Sequence, residues 1–320
     1  MKDKFGRSIE YMRISITDRC NLRCRYCMPH GIEKVEHARI ISYEDIVRIC
    51  EAAAGLGITK FKITGGEPLV RIGCSDLVKS IKSIPGTEQV TLTTNGVELA
   101  GHMASLVDAG LDAVNISLDT LDAEKYGYIT QRGSIDKVMA GIDSALLSGI
   151  KTKINCVPQR GFNDDEIKDF AHFAFDRGID VRFIELMPIG SAIDGKGVSN
   201  IEIIDALRSD FPELTPDDSI HGNGPAVYYG IPGLKGSIGL ISAMHGVFCE
   251  SCNRIRLTSQ GYIKPCLCYE ESIDIKPALA GDITDIRKIL EEAITSKPGQ
   301  HCFNEDPGQT DRRSMSQIGG

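Results

Sequence analysis

No stretch of the 320-residue chain strings together the roughly 18 apolar residues that a membrane-spanning helix needs. The first residues, MKDKFGRSIEYMR, lack the apolar core of a secretory signal and the Arg/Ser-rich character of a transit peptide. Positive charge is also short: the net charge is −8, which argues against non-specific binding to nucleic acid or to an anionic membrane surface. No GxxxxGK[ST] segment is present, so any phosphate group must be held without a P-loop. These absences predict a cytoplasmic protein that uses neither a membrane nor nucleic acid. With 42% hydrophobic and 25% charged residues, the chain has enough apolar material for one large or two moderate globular domains.

Cysteine, by contrast, is plentiful, with eleven residues. An odd number in a reducing compartment makes a disulfide framework an unfavourable reading. Seven of them cluster: Cys20, Cys24 and Cys27, then Cys249, Cys252, Cys266 and Cys268. Short spacing favours metal ligation. Cys50, Cys74, Cys156 and Cys302 stand apart and read as small buried hydrophobes.

Six β-rich segments recur along the first two-thirds: 11–17, 60–64, 89–94, 113–118, 151–157 and 180–186. Amphipathic stretches separate them. Ser42 with Asp45 predicts a capped helix start, and Gly55 and Gly57 its end. Ser134 predicts another start, followed by Ile135, Val138, Met139, Ile142 and Leu146 at helical spacing. A further helix is predicted over 283–296. Strands alternating with helices imply a parallel sheet with right-handed crossovers, either open and doubly wound or curled into a partial barrel. The polar segments TDRC, TGGEPL, TTNG, SLD and MP all follow strands, where such folds place their chemistry. After residue 190 the pattern loosens; GKGVSN, TPDDS and HGNGP read as loops, and a domain boundary is expected near 215–230.

The spacing CNLRCRYC supplies three thiolates on one loop. A four-iron cube held by three thiolates keeps one iron open to a small molecule. Zinc would need a fourth ligand, for which only His30 and His37 are near. The CxxxCxYC form with Tyr26, followed by TGGEPL, resembles the radical S-adenosylmethionine (SAM) family. That resemblance implies a partial (β/α)6 TIM-type barrel with a C-terminal extension. It implies a 4Fe–4S cluster on Cys20, Cys24 and Cys27 whose open iron takes S-adenosylmethionine, the source of a 5′-deoxyadenosyl radical. By motif position it places Tyr26, Gly66, Ser117 and Met187 around that cofactor.

Cys249, Cys252 and Cys266 form a second set, with Cys268 either a fourth ligand or a bystander. The surrounding CESCNRIRLTSQGYIKPCL and the terminal MSQIGG resemble the GTP 3′,8-cyclase family of molybdenum cofactor biosynthesis, over nearly the whole chain. This implies a second three-cysteine 4Fe–4S cluster, GTP as substrate, and Gly319 and Gly320 as a tail required for activity. It implies GTP contacts at Arg13, Lys62, Thr93, Lys153 and Arg254–Ile255–Arg256, with Lys60 and Arg182 as additions on β segments. Lys62 departs from the family, which usually has Arg there. The division expected is 1–220 for the barrel and 221–320 for the second cluster and GTP segment. A flavodoxin- or ferredoxin-like electron donor and a downstream cyclic pyranopterin monophosphate synthase follow from the same resemblance, which also admits a homodimer. Two other readings stay open: a peptide-modifying radical enzyme with an auxiliary cluster, and a two-cluster electron carrier.

Overall fold

A computed structural model describes residues 1–29, 31, 35–192, 195–245, 248–303, 311 and 313–318. In chain order the regular elements begin with β1 (Tyr11–Ser15), α1 (Tyr43–Gly55), β2 (Lys60–Thr64), α2 (Cys74–Lys82), β3 (Gln89–Thr94) and α3 (Leu99–Asp108). They continue with β4 (Ala113–Ser117), α4 (Ala123–Thr130), α5 (Ile135–Leu147), β5 (Lys151–Cys156), α6 (Ile167–Arg177), β6 (Asp180–Ile184) and α7 (Asn200–Arg208). The last third holds β7 (Thr215–Asp217), β8 (Val227–Gly230), β9 (Ser237–Ile241), β10 (Arg254–Leu257), β11 (Tyr262–Lys264), β12 (Ile273–Asp274), α8 (Lys276–Leu279) and α9 (Ile283–Thr295).

All six expected β segments are strands, and each pairs in parallel with the next. The sheet order is β12-β11-β10-β1-β2-β3-β4-β5-β6-β9-β8-β7. Six parallel strands with helical crossovers are the partial barrel, and the later strands extend it at both edges: β10 runs parallel to β1 and β9 parallel to β6. Arg254 on β10 and Arg182 on β6 line one interior chamber although six strand boundaries separate them, so the sheet curls round.

Local signals account for the helix ends. Ser42 accepts a hydrogen bond from the backbone N–H of Asp45, satisfying an orphan donor at the start of α1. Ser134 does precede α5, but its side chain makes no cap bond; the apolar face of Ile135, Val138, Ile142 and Ala145 buries the helix instead. TPDDS is corrected: Thr215–Asp217 form an edge strand, where Pro216 costs nothing because its missing N–H would face outward. The GKGVSN segment also ends inside regular structure, since Asn200 opens α7 behind a capping box of Ser199 and Glu202.

The main core lies between sheet and helices and contains Ile14, Phe61, Leu92, Ile116, Ile154 and Phe183, all fully buried or nearly so. Cys50, Cys74 and Cys156 belong to it, as expected. Cys302 does not. It is buried in a second, small cluster with Ile189, Phe303 and Ile318, paired as a disulfide with Cys268. That pairing corrects the reading of Cys302 as a lone hydrophobe, and of the two readings left open for Cys268 it favours the bystander over the fourth ligand. The segment after α9 folds back onto the Cys266–Cys268 loop, a contact between residues 34 apart that spacing does not reveal. Among the described residues, no helix is long and apolar enough to cross a membrane.

Candidate active site

Strand alternation sends every second side chain into the barrel. On the inward face Arg256, Arg13, Lys62 and Thr91 stand side by side across β10, β1, β2 and β3. Thr93, Asn115, Lys153 and Asp180 form a second row across β3 to β6. Two joined cavities result. One lies at the C-terminal ends of the strands and the other inside the barrel; Thr93 and Ile184 line both.

The outer cavity is lined by Cys20, Cys24, Cys27, Tyr26, Gly66, Ser117 and Met187. All seven residues expected around the first cluster and its cofactor therefore meet in one place. The backbone N–H of Leu22 donates to Cys20 Sγ at 3.3 Å, and Asn95 Nδ2 reaches the same sulfur at 3.8 Å. Such donors suit a thiolate ligand and tune a cluster. Burial, then Asp119, Cys27 and Cys20, push the Cys24 thiol well above its usual range. Burial also carries Cys27 up to about 12. Three half-buried thiols feeling one another's charge, with N–H groups aimed at sulfur, fit an iron–sulfur cluster. Among the described residues, no three His, Cys, Asp or Glu side chains gather round a single-ion position.

Gly66 allows the GGEP turn to lie on the cysteine loop. Its N–H donates to Thr17 O at 2.7 Å, and a Cβ there would strike the carbonyls of Asp18 and Arg19. Tyr26 is fixed by its hydroxyl, which donates to Asp119 Oδ2 at 2.8 Å. Asp119 also accepts from Val157 N–H, and burial pushes its carboxyl up to about 6. Glu67 joins two strand ends by accepting from Thr94 Oγ1 and Asn95 N–H, both at 2.7 Å. Sequence reasoning quoted the SLD, TGGEPL and TTNG segments but singled out none of Asp119, Glu67 or Asn95. Met187 both lines the cavity and packs on the Cys268–Cys302 cluster. The tail passes here too: Met315 and Ser316 line the cavity, and their backbone N–H groups reach Cys27. A buried ion pair, Lys264 Nζ to Asp311 Oδ2 at 2.6 Å, anchors that tail. Gly319, Gly320 and His30 lie outside the described residues.

The inner chamber is cationic. Arg13, Lys62, Lys153, Arg182 and Arg254 line it, and Arg256 sits beside Arg13 and Arg254. Among the described residues, the buried Nε atoms of Arg13, Arg182, Arg254 and Arg256 have no hydrogen-bond partner. Burial costs a charge unless it is paired, and here the charges crowd one another. Burial, then Arg182, Arg13, Lys153 and Arg254, drive Lys62 well below the lysine range. Burial lowers Arg256 to about 9, with Arg13 and Arg254 adding to the effect. Such crowding of buried cations favours an anion in the chamber.

Two expected contacts fall elsewhere. Lys60 does not line the chamber; its ammonium pairs with Glu10 at 3.2 Å and Glu88 at 3.9 Å, because it sits at the start of β2 beside those carboxylates. The Ile255 side chain belongs to the hydrophobic core, since alternation turns it away from the face that carries Arg254 and Arg256.

Cys249, Cys252 and Cys266 sit against the other flank of those arginines. Their fields overlap, for Cys249 is raised by burial and then by Cys266 and Cys252. Cys252 behaves differently: burial raises it, but Lys297, Arg254 and Arg256 outweigh that and bring it down to about 7. Lys297 is buried and donates to Arg254 O at 2.9 Å and Pro265 O at 2.8 Å, tying β10 to the Cys266 loop. It was missed because a lone lysine after a helix gives no signal in sequence.

The Radical SAM superfamily model matches residues 14–174, half of the chain. The chain belongs to the radical SAM superfamily. A second model, Molybdenum Cofactor Synthesis C, matches residues 179–303. Curated relatives match over their full length and that of this chain. They include proteins named GTP 3′,8-cyclase from Clostridium perfringens strain SM101 (44% identical), Alkaliphilus oremlandii (46%) and Moorella thermoacetica (47%). Among solved structures, Streptococcus suis SuiB bound to S-adenosylmethionine is 16% identical with a TM-score of 0.62, covering 88% of this chain and 65% of that one. Native anSMEcpe with bound AdoMet is 16% identical with a TM-score of 0.61, covering 92% and 82%. At that identity the likeness concerns the radical SAM fold alone. As a radical SAM protein the chain uses S-adenosylmethionine and iron–sulfur clusters.

Proposed function

We propose that the chain is a GTP 3′,8-cyclase, converting GTP to 3′,8-cyclo-7,8-dihydro-GTP at the start of molybdenum cofactor biosynthesis. The observation that carries the reading is the inner chamber: crowded buried cations, four of them arginines whose Nε atoms have no hydrogen-bond partner among the described residues, sharing Thr93 and Ile184 with the cavity of Cys20, Cys24 and Cys27. A triphosphate neutralises such a chamber, whereas a peptide-modifying radical enzyme or an electron carrier has no use for it.

In this reading Cys20, Cys24 and Cys27 hold one 4Fe–4S cluster and Cys249, Cys252 and Cys266 the other. Bound at the first cluster, S-adenosylmethionine supplies the 5′-deoxyadenosyl radical. Tyr26, held by Asp119, Gly66, Ser117 and Met187 surround that cofactor. Arg13, Lys62, Lys153, Arg182, Arg254 and Arg256 take the phosphates, with Thr93 at the junction. Fixing the phosphates deep in the barrel would leave the ribose at the junction lined by Thr93 and Ile184, beside the cavity that would hold the radical source, and would restrict the orientations open to it. Burial keeps water from the reacting carbon. Met315 and Ser316 of the tail line the same cavity and Ile318 packs in the small cluster with Ile189, which supports a role for Gly319 and Gly320.

The division into 1–220 for the partial barrel and 221–320 for the second cluster and a GTP-binding segment is part of the same proposal, although the sheet runs through both and cations from both parts face the chamber. A cytoplasmic location, a flavodoxin- or ferredoxin-like donor, delivery to cyclic pyranopterin monophosphate synthase and homodimer formation belong to the same proposal. The test is anaerobic reconstitution followed by dithionite, S-adenosylmethionine and GTP. The expected products are 5′-deoxyadenosine and the cyclised nucleotide. Absence of both with clusters intact overturns the reading.

A further inference from the structure

The inner chamber has a floor, and the floor is organised around one carboxylate. Lys153 Nζ is 2.7 Å from Asp180 Oδ2 and donates to the Tyr228 hydroxyl at 2.8 Å. Asp180 is itself saturated: Ser237 Oγ donates to its Oδ1 at 2.7 Å and His221 Nδ1 lies 3.1 Å from the same atom. The His221 ring stacks on Tyr228, centroids 3.9 Å apart at 13°, and its Nε2 lies 2.8 Å from Asp217 Oδ2. The segment His221–Pro225 lines the chamber, and Asn223 bonds Gln89 at the start of β3 across the barrel. Gly239 makes room for this arrangement, because a Cβ there would come within 2.8 Å of both the Arg182 side chain and the Tyr228 ring.

We propose that Asp180 and Tyr228 are positioning residues that aim the Lys153 ammonium at a polyphosphate chain, and that His221–Tyr228 is the floor on which the chain ends. The inference rests on the GTP reading for the identity of the nucleotide, but its geometry requires only a polyphosphate. An ammonium has three donors. Two are directed at Asp180 and Tyr228, which fixes the direction of the third. Without Asp180 this ammonium would stand buried beside Arg182 with no counter-charge. Asp180 does not repel the incoming phosphate strongly, since Lys153, Ser237 and His221 already surround it. In support, burial lowers Lys153 to about 8 even with Asp180 holding it up. From Thr93, at the junction, to Gln89, at the floor, β3 rises about 13 Å. That depth suits a ribose and a short phosphate chain.

The test is calorimetric binding to the anaerobically purified holoenzyme, with inorganic tripolyphosphate, GTP and S-adenosylmethionine as separate probes. Asp180→Asn and Tyr228→Phe are compared with the unaltered protein, and melting temperatures are recorded. Each variant is expected to bind tripolyphosphate and GTP about tenfold more weakly, the cost of one charge-assisted hydrogen bond. S-adenosylmethionine affinity stays unchanged. For Asp180→Asn the loss grows as pH rises, because Lys153 gives up its proton sooner. Unchanged tripolyphosphate binding in both variants overturns the proposal, as does an equal loss for S-adenosylmethionine. If the unaltered protein binds tripolyphosphate but not GTP, the nucleotide reading fails while the positioning proposal is still decided by the tripolyphosphate arm.

Discussion

The two cysteine sets share a spacing logic and differ in what surrounds them. Around Cys20, Cys24 and Cys27 acidic groups predominate: Asp119 and Glu67 add to burial in disfavouring thiolate, and only Arg23, beside Cys20, opposes them. Around Cys252 they are basic: Lys297, Arg254 and Arg256 favour it. The contrast matches the ligands proposed for each. S-adenosylmethionine carries a sulfonium cation, and an anionic wall receives it. GTP is a polyanion, and Arg254, one of the cations that balance the second set of thiolates, also lines the chamber. A chain with a net charge of −8 thus gathers its buried cations inside the barrel. It does so because strand alternation places Arg13, Lys62, Lys153, Arg182, Arg254 and Arg256 on one inner face.

The comparison breaks most completely at the cysteines. Cys24→Ser or Cys266→Ser is expected to lose one cluster's iron and all cyclisation, measured by iron and sulfide analysis with product chromatography. Cys268→Ser is expected to keep both clusters, because Cys268 is paired with Cys302 and not with the second set. Loss of iron in Cys268→Ser to the extent seen in Cys266→Ser would make that cluster four-liganded. Next come the chamber cations. Arg182→Ala should weaken GTP binding by about 10- to 100-fold, the worth of a buried charged contact. Lys60→Ala should change it little, since Lys60 is spent on Glu10 and Glu88. Equal effects in calorimetry would remove the distinction between chamber and rim.

Much of this was readable before any coordinates. The six strands carry β-branched and aromatic residues in short runs, and their boundaries fall within two residues of expectation at each end. Periodicity also put Arg254 and Arg256 together on one face. Two kinds of feature were not readable. The side chain that lands at a strand's first residue depends on the neighbouring loop, so Lys60 was placed with Lys62 though it pairs outward with Glu10. Contacts that close over long sequence distance leave no local pattern: Cys268 with Cys302, Asp119 with Tyr26, and Lys297 under β10. Each is decided by how the last third of the chain, or a loop, returns to the barrel.

At the mouth the expected effects are smaller. Asp119→Asn keeps the shape but weakens the hold on Tyr26 and removes an anion from the sulfonium side. S-adenosylmethionine affinity should fall about tenfold in a binding titration, with GTP affinity unchanged. An equal fall for GTP would mean that the two ends of the cavity do not recognise their ligands separately.

The smallest effect is expected at Lys62, and it sharpens the comparison most. Burial and four neighbouring cations drive this ammonium well below the lysine range in the free chamber. A group lowered in this way is charged at low pH and loses its proton as pH rises. GTP must therefore restore the proton on binding, so affinity falls progressively on the alkaline side and binding takes up protons there. Arginine starts from a higher value, so the same burial leaves it charged further into the alkaline range than lysine, and it offers a bidentate fork. Lys62→Arg should raise GTP affinity about threefold near neutrality and more at alkaline pH, while reducing the proton uptake seen by calorimetry in buffers of different ionisation enthalpy. The residual alkaline fall then belongs first to Lys153, lowered by burial to about 8, and at higher pH to Arg256, lowered to about 9. An unchanged pH profile in Lys62→Arg would place the proton-linked charge at Lys153 alone.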